Sequence, residues 1–396
     1  MDTLEMLKNP GFLLLLAAFI GCSGPAPEPG GDAATLDMGN DAAIPVADAS
    51  EARDSDLRDL STGEPPDVAV DGGSDASDVG RDMSSPEDMT ADSDPDMAPC
   101  VPPVETPPVL TELPLLLSET GLYSDVANEV LASDVQRFEP RYVLWSDGAA
   151  KDRFVWLPPC ETIDNTDQDN WSFPIGTRLW KTFTRDGVRI ETRLITRWGP
   201  GREDYHFAAY LWRDDGTDAD YVELGVMNAK GTPHDVPAVD QCQACHGRLP
   251  EPYLGFGAIM LTHQQPGVSI ATLSGEGRLA VPAPAGFEVP GTDEVRRALG
   301  YLHANCSNCH NESSYTTPLN SPFSLRVEVG DQTPEDTGTY RTAVGEYVTK
   351  FVHPDCITRV LPGDPDASCV FVRMSIRGSS DQMPVTGTEI VHPEGL

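Results

Sequence analysis

From Val188 to Trp198 the chain alternates in a period of two. Val188, Ile190, Thr192, Leu194, Thr196 and Trp198 fall on one parity, and Arg189, Glu191, Arg193, Ile195 and Arg197 on the other. That pattern predicts one long strand buried on a single face. RLWKTFT (Arg178 to Thr184) reads as its partner, and the intervening Asp186-Gly187 is a strong two-residue hairpin signal. YVLWS (Tyr142 to Ser146), RFVWLP (Arg153 to Pro158) and FAAYLWR (Phe207 to Arg213) read as further strands, with turns at Asp147-Gly148 and Asp215-Gly216. All six tryptophans lie between Trp145 and Trp212, and core and cross-strand packing is a simpler use for them than a ligand platform. The three arginines of the long strand are expected to form a solvated face, and His206 to be a packed or surface histidine.

A helical period appears later. Thr292 can cap a helix opening on Asp293-Glu294, where acid suits the dipole, with Val295, Ala298, Leu299 and Leu302 on one face. A second helix is predicted over Pro365–Arg377. The fold class is therefore α+β and multidomain: an antiparallel β-rich, sandwich-like domain, then a mostly α-helical C-terminal region.

The N-terminus is different. GFLLLLAAFIG (Gly11 to Gly21) is too short to span a bilayer but suits the apolar core of an export signal. Met6 makes a better start than Met1, because MLKNP gives a cationic leader. Gly21-Cys22 resembles a bacterial lipoprotein cleavage box, so Cys22 is the expected lipidated residue. Ser23 after it fits sorting to the outer membrane. Residues 23–99 contain no aromatic residue and carry twenty acidic against three basic residues. Such a stretch cannot bury enough apolar surface to order itself, and a disordered tether spanning roughly 50 Å is expected. Its DSDPD run (Asp92 to Asp96) lacks the glycine and terminal glutamate of a calcium loop. The formal net charge of −36 argues against nucleic-acid binding.

The nine cysteines carry the chemistry. Cys242-Gln243-Ala244-Cys245-His246 and Cys306-Ser307-Asn308-Cys309-His310 both spell C-x-x-C-H, the attachment signature of c-type haem. The thiols would form thioethers to the haem, and the histidine, next in the same turn, would ligate the iron. A thioredoxin-like pair or a four-cysteine zinc site are the rivals, but zinc pairs usually lie about 15–20 residues apart and these are much farther. Two covalent haems are the expectation. Setting aside Cys22 and the four haem thiols leaves Cys100, Cys160, Cys356 and Cys369, an even remainder that suits disulfides in an oxidising compartment. Proximity favours Cys356–Cys369 and Cys100–Cys160.

The helix entering Cys306 is similar to the N-terminal helix of a small soluble cytochrome c. Met383-Pro384, in a glycine- and proline-rich loop, resembles the distal methionine loop of those proteins, so Met383 is the expected sixth ligand of the second haem, with Met374 the alternative. For the first haem, Met260 and His263 are the nearest downstream candidates, ahead of His234 and His206. The segment after Cys242 is too short for a complete small cytochrome, so its pocket is expected to borrow walls from its neighbours. The boundaries expected are 1–22 signal, 23–99 tether, 100–236 β-rich domain, 237–290 first haem segment and 291–396 second haem domain.

Taken with LWSDGA (Leu144 to Ala149), FVWLPP (Phe154 to Pro159), WSFPIGTRLWKTF (Trp171 to Phe183), IETRL (Ile190 to Leu194), YLHANCSNCHN (Tyr301 to Asn311) and PGDPDAS (Pro362 to Ser368), these motifs resemble a family of exported bacterial di-haem c-type cytochromes, often lipoproteins. The resemblance runs from about residue 110 to the end. It implies haem iron and electron transfer, and no defined substrate. One departure stands out: the chain ends at HPEGL, where the closing helix of a small cytochrome would begin. Either Pro365–Arg377 takes that packing role or the C-terminus is truncated. The leading expectation is an electron carrier in the cell envelope, lipid-anchored at the outer membrane, with a redox partner presenting a basic docking surface. The alternatives are a peroxidase-like di-haem oxidoreductase with one open iron, and a ligand-binding β domain with accessory haems.

Overall fold

A computed structural model describes residues 100, 108–249, 252–284, 286–312, 322–351, 353–385 and 387–396. Cys22, the export signal and the acidic tether lie outside the described residues. All of the described residues fall in one unit, Thr90–Leu396.

Its centre is an antiparallel meander of six strands in sequence order: β3 (Gln136–Arg137), β4 (Ala150–Trp156), β5 (Arg178–Arg185), β6 (Val188–Arg197), β7 (Tyr205–Trp212) and β8 (Ala219–Tyr221). A two-stranded ribbon, β1 (Tyr123–Asp125) and β2 (Val130–Leu131), stands apart from it in hydrogen bonding. The β5–β6 hairpin turns at Asp186 and Gly187, with φ of 51° and 78°. Left-handed angles at both positions make the primed turn that matches strand twist, which explains an Asp-Gly pair there.

Two expectations are corrected here. The segment YVLWS is irregular rather than a strand. The sandwich reduces to one principal sheet, because its two faces are covered mainly by loops and short helices instead of a second large sheet. On one face Phe138, Val155, Leu179 and Phe207 pack with Tyr253, Phe256, Leu261 and Leu273. On the other Trp180, Leu194, Tyr210 and Trp212 pack with Leu117, Leu122 and Tyr123. A sheet covered twice has central strands buried on both faces. Hence β6 is not half-buried: Glu191 and Arg197 are as enclosed as Ile190 and Leu194.

The arginine face is not solvated either. A register shift between Phe183 and Thr184 breaks the alternation. Arg189 lies over Trp212 at 3.6 Å and pairs with Glu129. Arg193 lies over Phe183 at 4.3 Å and pairs with Glu191. Arg197 donates to the carbonyls of Phe173, Gly199 and Pro200. The tryptophans follow the packing expectation in the main: Trp156, Trp171, Trp180 and Trp212 are buried.

Helix α1 (Val239–His246) packs on β7, and α2 (Ile270–Gly275) is capped by Ser269. Helix α3 (Asp293–Asn305) starts where predicted, with Thr292 Oγ1 accepting from Val295 N. Its buried residues are Leu299, Gly300 and Ala304, and Ala298 turns to solvent. A Cβ on Gly300 would stand 2.1 Å from the Tyr142 ring, so only glycine lets α3 approach the chain entering the sheet so closely. Asn305 then clasps that chain, accepting from Trp145 N at 2.7 Å and donating to Val143 O at 2.7 Å.

The remainder holds α4 (Gly338–Ala343) and α5 (Cys369–Ser375). Irregular segments separate them, so the described C-terminal region is not mostly helical. The helix expected over Pro365–Arg377 shrinks to α5, because Pro365 opens a turn in which Ser368 N donates to Pro365 O. Both expected disulfides are present, Cys100–Cys160 and Cys356–Cys369.

Candidate functional site

The first C-x-x-C-H motif forms the last turn of α1. Cys242 and Cys245 form no disulfide. The His246 ring sits 5.6 Å from Phe207 on β7. Its Nδ1 lies 2.7 Å from the Pro252 carbonyl, so Nδ1–H donates and the tautomer is fixed with the lone pair on Nε2. Burial, with Lys181 second, pushes this imidazole down to about 3, so it is neutral at pH 7. Beside the motif is an opening of about 500 Å³. Cys242, His246, Leu179, Ile195, Phe207 and Tyr253 line it, together with Lys181 and Arg193 from the sheet.

The charges under that opening are organised by strand register. Arg153 of β4 faces Lys181 of β5, which faces Arg193 of β6, so three cations form one cross-strand row. Burial works against Arg193, but the fork of Glu191 at 2.6 and 3.0 Å holds it firmly charged. Burial also opposes the Glu191 charge, and Arg193 and His234 overcome it, keeping the carboxyl below its ordinary range. His234 Nε2 completes the cluster at 2.7 Å from Glu191. Burial, then Arg153 and Arg193, pushes the Lys181 ammonium well down.

The second motif follows α3. Cys306 is its C-cap residue, and the two residues between the cysteines serve the helix end. Ser307 Oγ donates to His303 O, Asn308 Nδ2 to Ala304 O, and Asn311 Nδ2 to Ser307 O. Carbonyls left without helical partners are thereby satisfied, and the chain turns tightly, with His310 N on Cys306 O at 2.9 Å. The His310 ring lies against Phe323, and its buried Nδ1 has no hydrogen-bond partner among the described residues. Burial, then Arg373 and Arg248, pushes it down to about 4. Cys306 opens on a second cavity of about 370 Å³. Its lining includes Met374, Met383, Trp145, Tyr301 and His392.

The two motifs meet. Cys245 and Cys309, 64 positions apart in the chain, are in hydrogen-bonding contact, and this contact with burial drives the Cys309 thiol far up. Burial raises Cys242, and pushes Cys306 up to about 12. Thiols held in the protonated form lack the thiolate character of a thioredoxin-type pair. Among the described residues no three histidine, cysteine or acidic side chains cluster to hold a bare metal ion. Each motif instead offers two thiols, one neutral imidazole and adjoining open space, the donor set that covalent haem needs.

The remaining sequence candidates scatter. Met383 and Met374 line the same cavity as Cys306. Met260 is buried and lines a third space of about 670 Å³, with His303 and Arg326, apart from Cys242. His263 is outside the first opening, its buried Nε2 without a partner among the described residues. His234 is taken by Glu191, and His206 stacks on Trp198 at 3.5 Å.

Sequence reasoning missed Lys181 and His392. Lys181 had a signal: it shares the strand parity of Leu179 and Phe183, so a lysine stands in an apolar row. His392 had none. Its ring stacks on Trp145 at 4.0 Å and its Nδ1 lies 3.1 Å from Tyr301 Oη, contacts made across the whole unit. Scans against protein-family models, curated proteins and solved structures each returned no match.

Proposed function

We propose that this chain is an exported di-haem c-type cytochrome that carries single electrons. The observation that supports it most is the contact between Cys245 and Cys309, which sets the two attachment motifs side by side although they are far apart in sequence. In this reading Cys242, Cys245 and His246 hold one haem, and Cys306, Cys309 and His310 the other. Each haem iron, when bound, supplies reversible one-electron chemistry. The protein's part is to orient and to exclude water. Pro252 holds the His246 ring through Nδ1, Phe207 and Leu179 wall the first opening, and Met383, which lines the second, would supply the other ligand to its haem. The region from α3 to the C-terminus corresponds to the cytochrome c-like part of the molecule, with an irregular chain where small cytochromes have more helix.

Cys22 is the lipid attachment point in this reading, and the acidic segment after it is a tether at the outer membrane. The net negative charge favours a redox partner with a basic docking surface, with association that weakens as salt rises.

The test is expression of residues 23–396 behind a periplasmic export signal, together with the cytochrome c maturation machinery. Intact mass and visible spectra are recorded with and without carbon monoxide. The expected result is a mass gain of two haems and spectra of reducible low-spin haem. No mass gain returns both motifs to thiol chemistry. Carbon monoxide on one untreated haem moves the assignment to a peroxidase-like enzyme.

A further inference from the structure

The first opening contains an ionic feature that haem attachment alone does not use. Like charges directly opposite on neighbouring strands are unfavourable, yet Arg153, Lys181 and Arg193 share one row. Both flanking arginines are compensated: Arg153 by Glu139 at 3.0 Å, and Arg193 by Glu191. The Lys181 side chain, between them, makes no hydrogen bond or ion pair with any described residue, and it lines the opening beside His246.

A census of that lining narrows its use. Leu179, Ile195 and Phe207 offer hydrocarbon only. The Tyr253 hydroxyl is engaged, donating to Thr177 O at 3.1 Å. The guanidinium of Arg193 has no lone pair to give and is already forked onto Glu191. Met260, His263, His234 and His206 do not line the opening. Besides His246, Lys181 is the one lining side chain among the described residues with a free nitrogen lone pair to offer.

We infer that Lys181 is the second axial ligand of the haem on Cys242 and Cys245, giving that iron histidine and amine nitrogens. The inference rests on the di-haem reading. On binding, Lys181 releases one proton to solvent and shares the Nζ lone pair with iron, with no change of oxidation state. An amine partner on one haem and a thioether on the other would give one chain two electronically distinct centres.

The experiment compares the matured protein with Lys181→Arg and Lys181→Ala, all as full haem-loaded chains. Intact mass comes first. Two haems in the parent protein uphold the underlying reading, and its failure there is read separately from anything about Lys181. Electron paramagnetic resonance and near-infrared magnetic circular dichroism of the oxidised proteins then report spin state and axial ligands. The expected parent spectrum has two low-spin haems, one with an amine signature. Both variants should convert one of the two haems to high spin and leave the other unchanged. Arginine keeps the positive charge but cannot ligate. A fully low-spin Lys181→Arg protein would therefore overturn the inference and assign Lys181 to charge pairing with haem carboxylates. A high-spin haem already present in the parent protein overturns it too.

Discussion

The two C-x-x-C-H motifs share a five-residue signature and little else. The first is the end of a helix laid on a sheet, and the space beside it is walled by strand residues from β5, β6 and β7 and floored by a charged row. The second is a turn after a helix, and its space is walled by a tryptophan, a tyrosine, two methionines and a histidine drawn from loops, α3 and α5. The signature fixes where thiols and imidazole sit relative to each other, because all three come from one turn. It leaves the opposite wall to remote segments. One motif thus receives an ionic, nitrogen-bearing wall, and the other a soft, thioether-bearing one. Axial partner and local charge are the protein's main controls over haem potential, so on the proposed di-haem reading the two centres would differ in potential.

The largest test of that comparison removes one motif at a time. Cys242→Ala with Cys245→Ala is expected to lower the intact mass by one haem and leave spectra of a methionine-ligated centre. Cys306→Ala with Cys309→Ala is expected to leave the complementary centre. If both double variants give the same residual spectrum and potential, the contrast between the walls has no electronic consequence.

A second test addresses the ionic floor. Glu191 is fully enclosed and compensates both Arg193 and His234. Glu191→Gln leaves those partners without their carboxylate, which should cost roughly 3–5 kcal/mol, toward the lower end because Arg193 borders the opening. The sign with pH follows from the depressed folded pKa of Glu191. Its stabilisation is present above the unfolded carboxyl pKa of about 4.3 and is lost as pH falls through the lower folded value. Urea titrations of the parent and variant should thus converge below about pH 4. A gap that stays constant into acid would mean the loss is one of packing.

These residues also mark how much could be read beforehand. The β5–β6 hairpin, the start of α3, both disulfides and both motifs were legible, because each is written in local spacing or chain proximity. The burial of Arg193 and Arg197 was not. Alternation shows which residues share a face, but whether that face is wet depends on Tyr253, Phe256 and Leu261 arriving from far along the chain. The false strand at YVLWS has the same origin. Its β-prone residues are held in irregular form by Asn305 and the close approach of Gly300. His392 reaches Trp145 and Tyr301 through tertiary packing, and nothing in its neighbours announces that.

The disulfides offer a smaller contrast. Cys100–Cys160 closes 60 residues on the sheet side, and Cys356–Cys369 closes 13 on the methionine side. Chain entropy gives about 4 and about 3 kcal/mol for loops of these lengths. Paired serine substitutions, followed by urea unfolding, should rank in that order. The reverse ranking would show that the C-terminal loops depend more on their covalent tie than on packing, as their sparse helical content would favour.

The smallest effect separates helix stability from site geometry. Thr292 caps α3 through a hydrogen bond to Val295 N at 3.4 Å, and the second motif begins only at the far end of that helix. Thr292→Ala should cost about 1 kcal/mol. The far end is secured independently, by Asn305 on Val143 and Trp145 and by Ser307, Asn308 and Asn311 on the last carbonyls. Fraying the first turn should therefore lower the unfolding midpoint while leaving haem content and the spectrum of the second centre unchanged. On the di-haem reading the first centre would be carried by α1, which packs on β7 and whose position depends on the sheet beneath it. If Thr292→Ala disturbed the second spectrum, α3 would be acting as a rigid lever from cap to motif. The second site would then be as dependent on its scaffold as the first.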